Sequence, residues 1–411
     1  MKKFFISLLM TLALILAGNL VQADDFEAPA EHAIAVDSST GKVLYEKDAT
    51  SPDGIASITK ILTVYMVYKA IDNGKLSWNT KVKISDYAYD LTTNSEASNV
   101  PMDDREYTVK ELVKAAMIAS ANSAAIALAE KIGGDEPTFV DMMQTQLKEW
   151  GIKDAKLVNA SGLNNNYLGD HIYPGSKSDD ENLMSARDVA IIAQHLIKDY
   201  PDVLDISKKT KADFHGTTMT TFNFMLDGMP YAREGVDGLK TGTTELAGQS
   251  FVATSTENGM RIISVILHAD HADTNEYARF DATNKLLNYV AYNFQLTNLT
   301  VEGEAYKASK AQVLDGKSKN VSAVSKDDFR VITKIGSDHK PSATVKTKPV
   351  TAAVKKGTKV GTLTYDDPDL IGTGYLDGPP QVTLVAQKPV KKSFFLKVWW
   401  NHFVRYVNEK L

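Results

Sequence analysis

The segment Ser57-Ile58-Thr59-Lys60 stands at the head of the apolar run Ile61-Leu62-Thr63-Val64-Tyr65-Met66-Val67. Because Pro52 and Gly54 interrupt the chain just upstream, a helix is predicted to begin near Ser57. Positions three apart are neighbours on a helix, so the Ser57 hydroxyl would lie beside the Lys60 amine. A serine needs an adjacent base to act as a nucleophile, and a lysine can be that base when its pKa is lowered. The backbone N–H groups of the helix N-terminus would also favour developing negative charge. The segment therefore predicts a nucleophile and its base within one helical turn.

The Ser-x-x-Lys pattern is not specific by itself. It occurs again at Ser39/Lys42, in a segment typical of a hairpin turn, and at Ser337/Lys340, in a polar loop. Only the copy at Ser57 opens an apolar helix. The alternative for this copy is an N-cap serine followed one turn later by an ordinary exposed lysine.

The composition is that of a globular protein without cysteine. The 411 residues are 43% hydrophobic and 24% charged, which suits two packed domains rather than a disordered chain or a multispan membrane protein. The absence of cysteine excludes disulfides, thiolate metal sites and a cysteine nucleophile. The formal charge of −5 argues against nucleic acid as a partner.

The two ends of the chain differ from the rest. A basic start, an apolar stretch over residues 4–17 and small residues up to Ala23 predict a signal peptide at residues 1–23. Asn19 stands where a lipoprotein signal would need cysteine. Residues 389–411 carry Trp399 and Trp400, and five basic residues against one acidic residue, which is typical of an amphipathic helix in a membrane interface. The alternative is a helix packed on its own domain.

Between these ends the sequence pattern changes near residue 297. Strand-like segments at 32–36 and 42–46 precede helical periodicity up to about residue 200, and strand-like segments return at 238–243, 249–254 and 261–267. A long helix is predicted at about 274–294. Residues 24–296 are therefore predicted to form one α/β domain whose sheet joins distant segments. Residues 297–388 alternate with period two and are predicted to form a small all-β domain.

Two further motifs could supply the other parts of a catalytic site. Ser120-Ala121-Asn122 lies between two helical segments, where side chains could turn inward. Lys240-Thr241-Gly242 lies on a predicted strand, where Gly242 would allow a ligand to approach the backbone closely. Ser-x-Asn also occurs at 77–79 and 318–320, whereas Lys-Thr-Gly occurs once. The order of the three motifs is more specific than any one of them.

The three motifs in this order resemble the motif set of the penicillin-binding and serine β-lactamase families. Ala121 departs from the aspartate of that set. More specifically, the chain resembles the low-molecular-mass penicillin-binding proteins that act as D-alanyl-D-alanine carboxypeptidases. This resemblance implies an α/β fold with a β-lactamase/DD-peptidase-like domain, in which helices are inserted into an antiparallel sheet. A small all-β sandwich domain and a C-terminal amphipathic helix would follow. The likeness covers the signal, the hairpin, the tail and segments 54–60, 159–163, 185–188, 235–242, 354–357 and 361–363.

The resemblance implies a chemical role for the first two motifs. Ser57 would attack the carbonyl between two D-alanines and form an acyl-enzyme. Lys60 would accept the Ser57 proton and later activate the hydrolytic water. Ser120 would pass a proton to the leaving amine, and Asn122 would hold the substrate amide.

The third motif is expected to bind the substrate carboxylate. Lys240 and Thr241 would hold it, and the charge of Lys240 would help to keep Lys60 neutral. Gly242 belongs to the same strand. The oxyanion would lie between the backbone N–H groups of Ser57 and Thr243.

Two further positions are interpreted through the resemblance to relatives. Many relatives carry histidine where this chain has Thr243, so a side-chain role at this position does not follow from the resemblance. Arg279 matches an arginine that helps to hold the carboxylate, a task that suits a guanidinium group. The alternative for Arg279 is a solvated residue on a helix face.

Three other functions share parts of this pattern. A serine β-lactamase, a DD-endopeptidase or a transpeptidase would be acylated in the same way, although the Glu-x-x-Leu-Asn segment of class A β-lactamases is absent. A metal hydrolase could use His268, Asp270 and His271, although these residues suit a strand end better. A non-catalytic wall-binding scaffold would retain the fold without the chemistry.

The resemblance implies neither a cofactor nor a metal. The expected partners are peptidoglycan pentapeptide stems ending in D-Ala-D-Ala, β-lactam antibiotics as covalent inhibitors, and a membrane surface contacted through residues 391–411. These expectations predict an exported protein, anchored peripherally on the outer face of the bacterial cytoplasmic membrane.

Overall fold

The computed structural model describes residues 26–410, so the signal peptide predicted at residues 1–23 lies outside the described residues. An α/β part is followed by a β-rich part and a last helix; the domain limits given above stay predictions. Within the described residues, the α-helices are α1 (Lys60–Asp72), α2 (Asp86–Asp90), α3 (Val109–Ile118), α4 (Asn122–Gly133), α5 (Glu136–Glu149), α6 (Ala186–Asp199), α7 (Leu204–Ser207), α8 (Ala278–Asn293) and α9 (Phe395–Lys410).

The strands follow the same order along the chain. Those of the α/β part are β1 (Ala30–Asp37), β2 (Val43–Lys47), β3 (Asp53–Gly54), β4 (Lys81–Lys83), β5 (Glu106–Thr108), β6 (Leu183–Met184), β7 (Lys211–Phe214), β8 (Thr217–Thr220), β9 (Val236–Thr244), β10 (Gly248–Glu257) and β11 (Met260–Ala269). Those of the β-rich part are β12 (Phe294–Thr300), β13 (Lys310–Leu314), β14 (Asn320–Ser325), β15 (Phe329–Lys334), β16 (Ser342–Thr347), β17 (Val350–Thr351), β18 (Lys359–Asp366) and β19 (Gln381–Ala386).

A five-stranded antiparallel sheet in the order β2-β1-β11-β10-β9 forms the centre of the α/β part. β1 comes from its beginning and pairs with β11 from near its end, with Ile34 opposite Val265. The predicted α/β fold, with a sheet joining distant segments, is thus confirmed. β9 is an edge strand, so one side of it is not paired with another strand of this sheet.

Both faces of this sheet are covered. Successive residues of a strand point to opposite faces. Ile34 and Val36 of β1 therefore pack in a core with the inserted helices, whereas Ala33 and Ala35 pack in a second core with α8. This explains why β1 is apolar at consecutive positions instead of alternating.

The helix α1 is the central element of the helical insertion. Ten of its thirteen residues are buried, in keeping with its apolar character on all sides. Its surroundings include α3, which begins with a capping box of Thr108 and Glu111, and α6, which begins with one of Ser185 and Asp188. A buried α1 places its first residue, Lys60, inside the protein.

Two helix starts differ from the predicted positions. A 3-10 turn over Ala56–Thr59 precedes α1, so the α-helical hydrogen bonds begin at Lys60 rather than at Ser57. The long helix α8 begins at Ala278 rather than near residue 274. There the Asn275 side chain accepts a hydrogen bond from the Tyr277 N–H (2.9 Å), which favours a turn over a helix.

The β-rich part contains a six-stranded sheet in the order β16-β18-β19-β14-β13-β17 and the pair β12-β15. Phe329 and Val331 of β15 pack with Leu363 and Leu384 of the larger sheet in one core. The predicted β-rich fold is confirmed, and the predicted strands correspond to β15, β18 and β19. The strands β13, β14 and β16 were not predicted, because their small and polar residues do not give a strong alternation.

The two parts are joined through polar contacts, which include a buried ion pair. Lys42 Nζ lies 2.8 Å from Asp367 Oδ2 in a fully buried ion pair, and also donates to the Ile332 carbonyl (3.1 Å). Arg187 of α6 donates to the carbonyls of Tyr375 (2.8 Å) and Leu376 (3.2 Å). The lysine of the Ser39/Lys42 pattern is therefore a structural residue of the interface.

Candidate active site

Ser57 lies on the 3-10 turn that leads into α1. The preceding residue, Ala56, has a left-handed φ of 45°, a conformation that residues other than glycine rarely adopt. The residues at the N-caps of the turn and of α1 are Ile55 and Thr59, so the interpretation of Ser57 as an N-cap serine is wrong. The turn presents the Ser57 hydroxyl to Lys60, with Oγ and Nζ 2.9 Å apart.

Lys60 is fully buried and has three oxygen neighbours. Its Nζ lies 2.7 Å from Asn122 Oδ1, 2.7 Å from the Ser161 carbonyl oxygen and 2.9 Å from Ser57 Oγ. Burial, and to a lesser extent the charge of Lys240, hold the pKa of Lys60 well below its usual value. The alternative of an ordinary exposed lysine is therefore wrong.

These three contacts orient the neutral amine. A neutral amine has two N–H donors and one lone pair, whereas the amide oxygens of Asn122 and Ser161 can only accept hydrogen bonds. When both N–H groups point to these two oxygens, the lone pair points to Ser57 Oγ. The arrangement can therefore accept the proton of the Ser57 hydroxyl.

The Ser-x-Asn motif connects α3 and α4 beside this pair. Ser120 is buried and has a left-handed φ of 56°, an uncommon conformation of the kind that clusters at functional sites. The amide of Asn122 contacts Lys60 through Oδ1 and donates from Nδ2 to the Ser98 carbonyl (2.9 Å). Both ends of the Asn122 side chain thus have protein partners here. Its predicted contact with the substrate amide stays a prediction.

The Lys-Thr-Gly motif lies on the edge strand β9. Burial, and then the nearby Arg279 charge, lower the pKa of Lys240 to about 7. Burial and the positive charge of Lys240 both favour the neutral form of Lys60. A charged Lys240 beside a neutral Lys60 is the pairing that the proton transfer from Ser57 requires.

Gly242 allows β9 to pack closely against a neighbouring segment of the protein. A Cβ at this position would lie 2.6 Å from the Ile55 carbonyl oxygen, next to the turn that carries Ser57. The sequence predicted a glycine for close approach by a ligand. The structure shows close approach by the segment that precedes Ser57, and approach by a ligand stays a prediction.

Arg279 of α8 reaches the same site and is 8% exposed, so its interpretation as a solvated helix-face residue is wrong. It donates to the Gly242 carbonyl (2.9 Å), the Ser250 carbonyl (3.2 Å) and the Thr243 hydroxyl (2.7 Å). Burial lowers its pKa to about 10, which leaves the guanidinium charged at neutral pH.

A cleft of about 360 Å³ joins these elements. Five predicted residues line it, and Lys60, Asn122 and Lys240 lie buried beside it. Glu96, Glu276 and Phe222 also line the cleft, and sequence reasoning missed them because their loops carry no recognisable motif. The lining residues are Ser57, Glu96, Ser98, Ser120, Phe222, Phe224, Thr241, Thr243, Glu276, Arg279 and Phe280.

The proposed metal set of His268, Asp270 and His271 is not assembled. Among residues 26–410, the group within ligand distance of one another is Glu31, Asp53 and His268. None of these residues lines the cleft. The geometry therefore favours a serine and lysine pair over the metal hydrolase alternative.

Comparisons with known proteins match both parts of the chain to described families. Residues 19–271 match the family model described as D-alanyl-D-alanine carboxypeptidase, and residues 294–392 match the model described as the C-terminal domain of penicillin-binding protein 5. D-alanyl-D-alanine carboxypeptidase DacF of Bacillus subtilis is 30% identical over 81% of this chain and 80% of its own length. DacC of Escherichia coli is 30% identical over 91% of this chain and 88% of its own length.

Solved structures show the same relationship. The chain superposes on penicillin-binding protein 3 of Streptococcus pneumoniae with a TM-score of 0.86 and 55% identity, covering 89% of this chain and 100% of that one. Penicillin-binding protein 5 of Haemophilus influenzae gives a TM-score of 0.70 at 26% identity, covering 89% and 99%. The chain therefore belongs to the D-alanyl-D-alanine carboxypeptidase family of serine peptidases, among the low-molecular-mass penicillin-binding proteins.

Proposed function

We propose that this protein removes the terminal D-alanine from peptidoglycan pentapeptide stems through an acyl-enzyme on Ser57. The observation that carries the proposal is the contact of Ser57 Oγ with the buried Lys60 Nζ at 2.9 Å, in a cleft that also holds Arg279. Ser57 supplies the nucleophile and Lys60 supplies the base. The guanidinium, with Lys240, supplies positive charge for a C-terminal carboxylate.

The reaction then proceeds in two halves. Lys60 accepts the proton of Ser57 as Oγ bonds to the carbonyl carbon between the two D-alanines, and backbone N–H groups of Ser57 and Thr243 hold the oxyanion. The carbon–nitrogen bond breaks, and the leaving D-alanine amine receives that proton through Ser120. A water molecule next gives a proton to Lys60 and attacks the ester carbon, and Lys60 returns that proton to Ser57 Oγ as the ester bond breaks.

Carboxypeptidase activity is favoured over the related activities by the charge in the cleft. Lys240 and Arg279 are both buried cations beside the nucleophile, and a substrate ending in a free carboxylate would neutralise them. A β-lactam with its own carboxylate would fit the same site and acylate Ser57. A β-lactamase would hydrolyse that ester rapidly. A non-catalytic scaffold would not form the ester at all.

The activity is tested by release of D-alanine from a synthetic pentapeptide ending in D-Ala-D-Ala. The wild-type chain should release it, and the same peptide with a C-terminal amide should be hydrolysed at least tenfold more slowly, because the carboxylate contacts are lost. Rapid turnover of penicillin without D-alanine release would instead favour the β-lactamase. Absence of both reactions would contradict the proposal.

The pH profile provides a prediction from the two lysines. Lys60 must be neutral, so kcat/KM should rise with pH as Lys60 loses its proton. It should then decline partly above about pH 7, where Lys240 loses its charge while Arg279 retains its own. In Lys240→Gln the positive neighbour of Lys60 is absent, so the pKa of Lys60 should rise and the acid limb should move to higher pH. An acid limb that stays in place would contradict the coupling.

We also propose export and peripheral membrane attachment through α9. The apolar side chains of this segment face solvent, with Trp399 64%, Trp400 58% and Phe403 47% exposed. Its polar contacts point to the β-rich part, where His402 Nε2 lies 2.9 Å from Asp315 Oδ2. An exposed aromatic face with basic flanks suits a membrane interface. No helix in residues 26–410 is long and apolar enough to cross a membrane.

Attachment is tested by removing residues 391–411. The shortened protein should move from the membrane to the soluble fraction and retain peptide hydrolysis. In the full chain, the double variant Trp399→Ser/Trp400→Ser should bind vesicles containing anionic lipid at least tenfold more weakly, because each aromatic contributes buried apolar area. Tyr292→Ser is a matched control, since Tyr292 is 79% exposed on α8. Unchanged membrane fractionation would contradict this proposal.

A further inference from the structure

A buried carboxyl group lies outside the catalytic motifs but contacts the loop of residues 158–162, which borders Lys60. Glu136, the first residue of α5, is 5% exposed. Its Oε1 accepts a hydrogen bond from the Ala160 N–H (2.8 Å), and its Oε2 accepts one from the Tyr87 hydroxyl (2.9 Å). Burial raises the pKa of Glu136 to about 7, and the neighbouring Glu130 acts in the same direction. Burying a carboxyl group is costly unless its hydrogen bonds are satisfied, and both oxygens have partners here.

The residue held by Glu136, Ala160, directly precedes Ser161, whose carbonyl accepts a hydrogen bond from Lys60. The Ala160 carbonyl accepts a hydrogen bond from the Thr63 hydroxyl (2.6 Å), so Ala160 is held at both its N–H and its C=O. The next carbonyl, that of Ser161, accepts from Lys60 Nζ at 2.7 Å. Thr63 and Lys60 lie one turn apart on α1. A shift of Ala160 would therefore move the Ser161 carbonyl relative to Lys60.

We propose that Glu136 is a positioning residue for the reaction, which sets the direction of the Lys60 lone pair by fixing Ala160 and, through it, the Ser161 carbonyl. Glu136 does not touch the substrate. The inference rests on the proposed function, because it concerns the proton transfer from Ser57 to Lys60.

The consequence of losing this contact follows from the geometry of the amine. Without the Ser161 carbonyl in place, Lys60 loses one of its two amide acceptors, and an N–H rather than the lone pair can face Ser57. The transfer of the Ser57 proton to Nζ, and with it formation of the Oγ–carbon bond, would become slower. Lys240, Thr241 and Arg279 do not contact this loop in the hydrogen bonds described, so binding of the carboxylate should be unaffected.

The loop is also held by Asn182, which limits the expected effect. Asn182 Oδ1 accepts from the Val158 N–H (2.6 Å) and the Asn159 N–H (3.2 Å). Removal of Glu136 should therefore displace residues 160 and 161 without releasing the whole loop. A change in rate of about tenfold is expected, below the loss that follows from misplacing a reacting group outright.

The test compares two substitutions at this position in the full mature chain. Glu136→Gln keeps an oxygen acceptor for the Ala160 N–H, and Glu136→Leu removes it at similar volume. With the D-Ala-D-Ala pentapeptide, Glu136→Leu should lower kcat about tenfold with KM unchanged within about twofold. Glu136→Gln should keep kcat within about threefold of wild type. Acylation by a fluorescent penicillin should follow the same order.

Controls separate this role from a general loss of stability. Glu130→Leu removes a neighbouring carboxyl group that accepts from Ser85 and does not touch the loop, so its kcat should remain near wild type. If Glu136→Leu does not fold, Thr63→Val removes the other support of Ala160 and should lower kcat in the same way. The inference would be overturned if a folded Glu136→Leu protein had the kcat of wild type. The same holds for Thr63→Val if that variant is used in its place. A Glu136→Gln protein as impaired as Glu136→Leu would also overturn it. A wild-type protein that neither releases D-alanine nor is acylated would instead overturn the proposed function.

Discussion

Replacing Lys60 by methionine is expected to lower the rate of Ser57 acylation by about 10³- to 10⁴-fold. Methionine fills the buried volume of the lysine side chain but has no amine that could accept the Ser57 proton. The substitution removes a polar group that is fully buried, so the fold should persist, although Asn122 Oδ1 and the Ser161 carbonyl lose a donor. The measurement is the second-order rate constant for labelling by a fluorescent penicillin, with thermal unfolding as the check on folding.

A lysine on the same helix provides the matched control. Lys69 also lies on α1, but its amine is paired with Glu149 at 3.3 Å on the outer side of the helix. Lys69→Met should label at the wild-type rate. A folded Lys60→Met protein that still labels within tenfold of wild type would show that another group accepts the Ser57 proton.

The second large effect is expected from Gly162→Ala, through both folding and catalysis. Gly162 has a φ of +80°, and a Cβ there would lie 1.8 Å from the Ala56 carbonyl oxygen and 2.8 Å from Thr59 Oγ1. The loop that carries the Ser161 carbonyl and the turn that carries Ser57 could not both keep their positions. Overpacking and the left-handed backbone together should lower the free energy of unfolding by about 2–4 kcal/mol. Misplacement of the reacting groups should slow acylation by about 100-fold or more.

The steric part of this effect can be isolated with Gly175→Ala. Gly175 has nearly the same φ, +82°, but a Cβ at this position would have no other residue within 4 Å apart from its chain neighbours. Only the backbone strain of about 1–2 kcal/mol is expected there, with acylation unchanged. Urea unfolding and penicillin labelling of both variants measure the two effects. Equal behaviour of the two alanine variants would contradict the close contact between loop and turn.

Local pattern was sufficient to predict the parts of the site that lie within single elements. The spacing of Ser57 and Lys60 follows from one helical turn, and the strand-like segment around Lys240 became β9. The apolar runs of β1 and β11 likewise predicted a sheet built from both ends of the domain. These features depend on residues close in sequence, where periodicity carries the information.

Features that depend on distant contacts could not be predicted in the same way. The Lys60 amine is oriented by Asn122 and Ser161, which lie 62 and 101 residues away in the sequence. Gly242 is required by the Ile55 carbonyl, and Glu136 holds Ala160 although 24 residues separate them. No local period encodes such contacts. The resemblance of segment 159–163 to relatives indicated that this loop matters, but the physical reason, a carbonyl aimed at Lys60, required the structure.

Mass spectrometry after exposure to penicillin tests the central chemical claim most directly. The intact protein should gain the mass of one penicillin, and after proteolysis the adduct should lie on the peptide containing Ser57 and be lost in Ser57→Ala. An adduct on another residue, or D-alanine release that survives in Ser57→Ala, would contradict the assignment of Ser57 as the nucleophile.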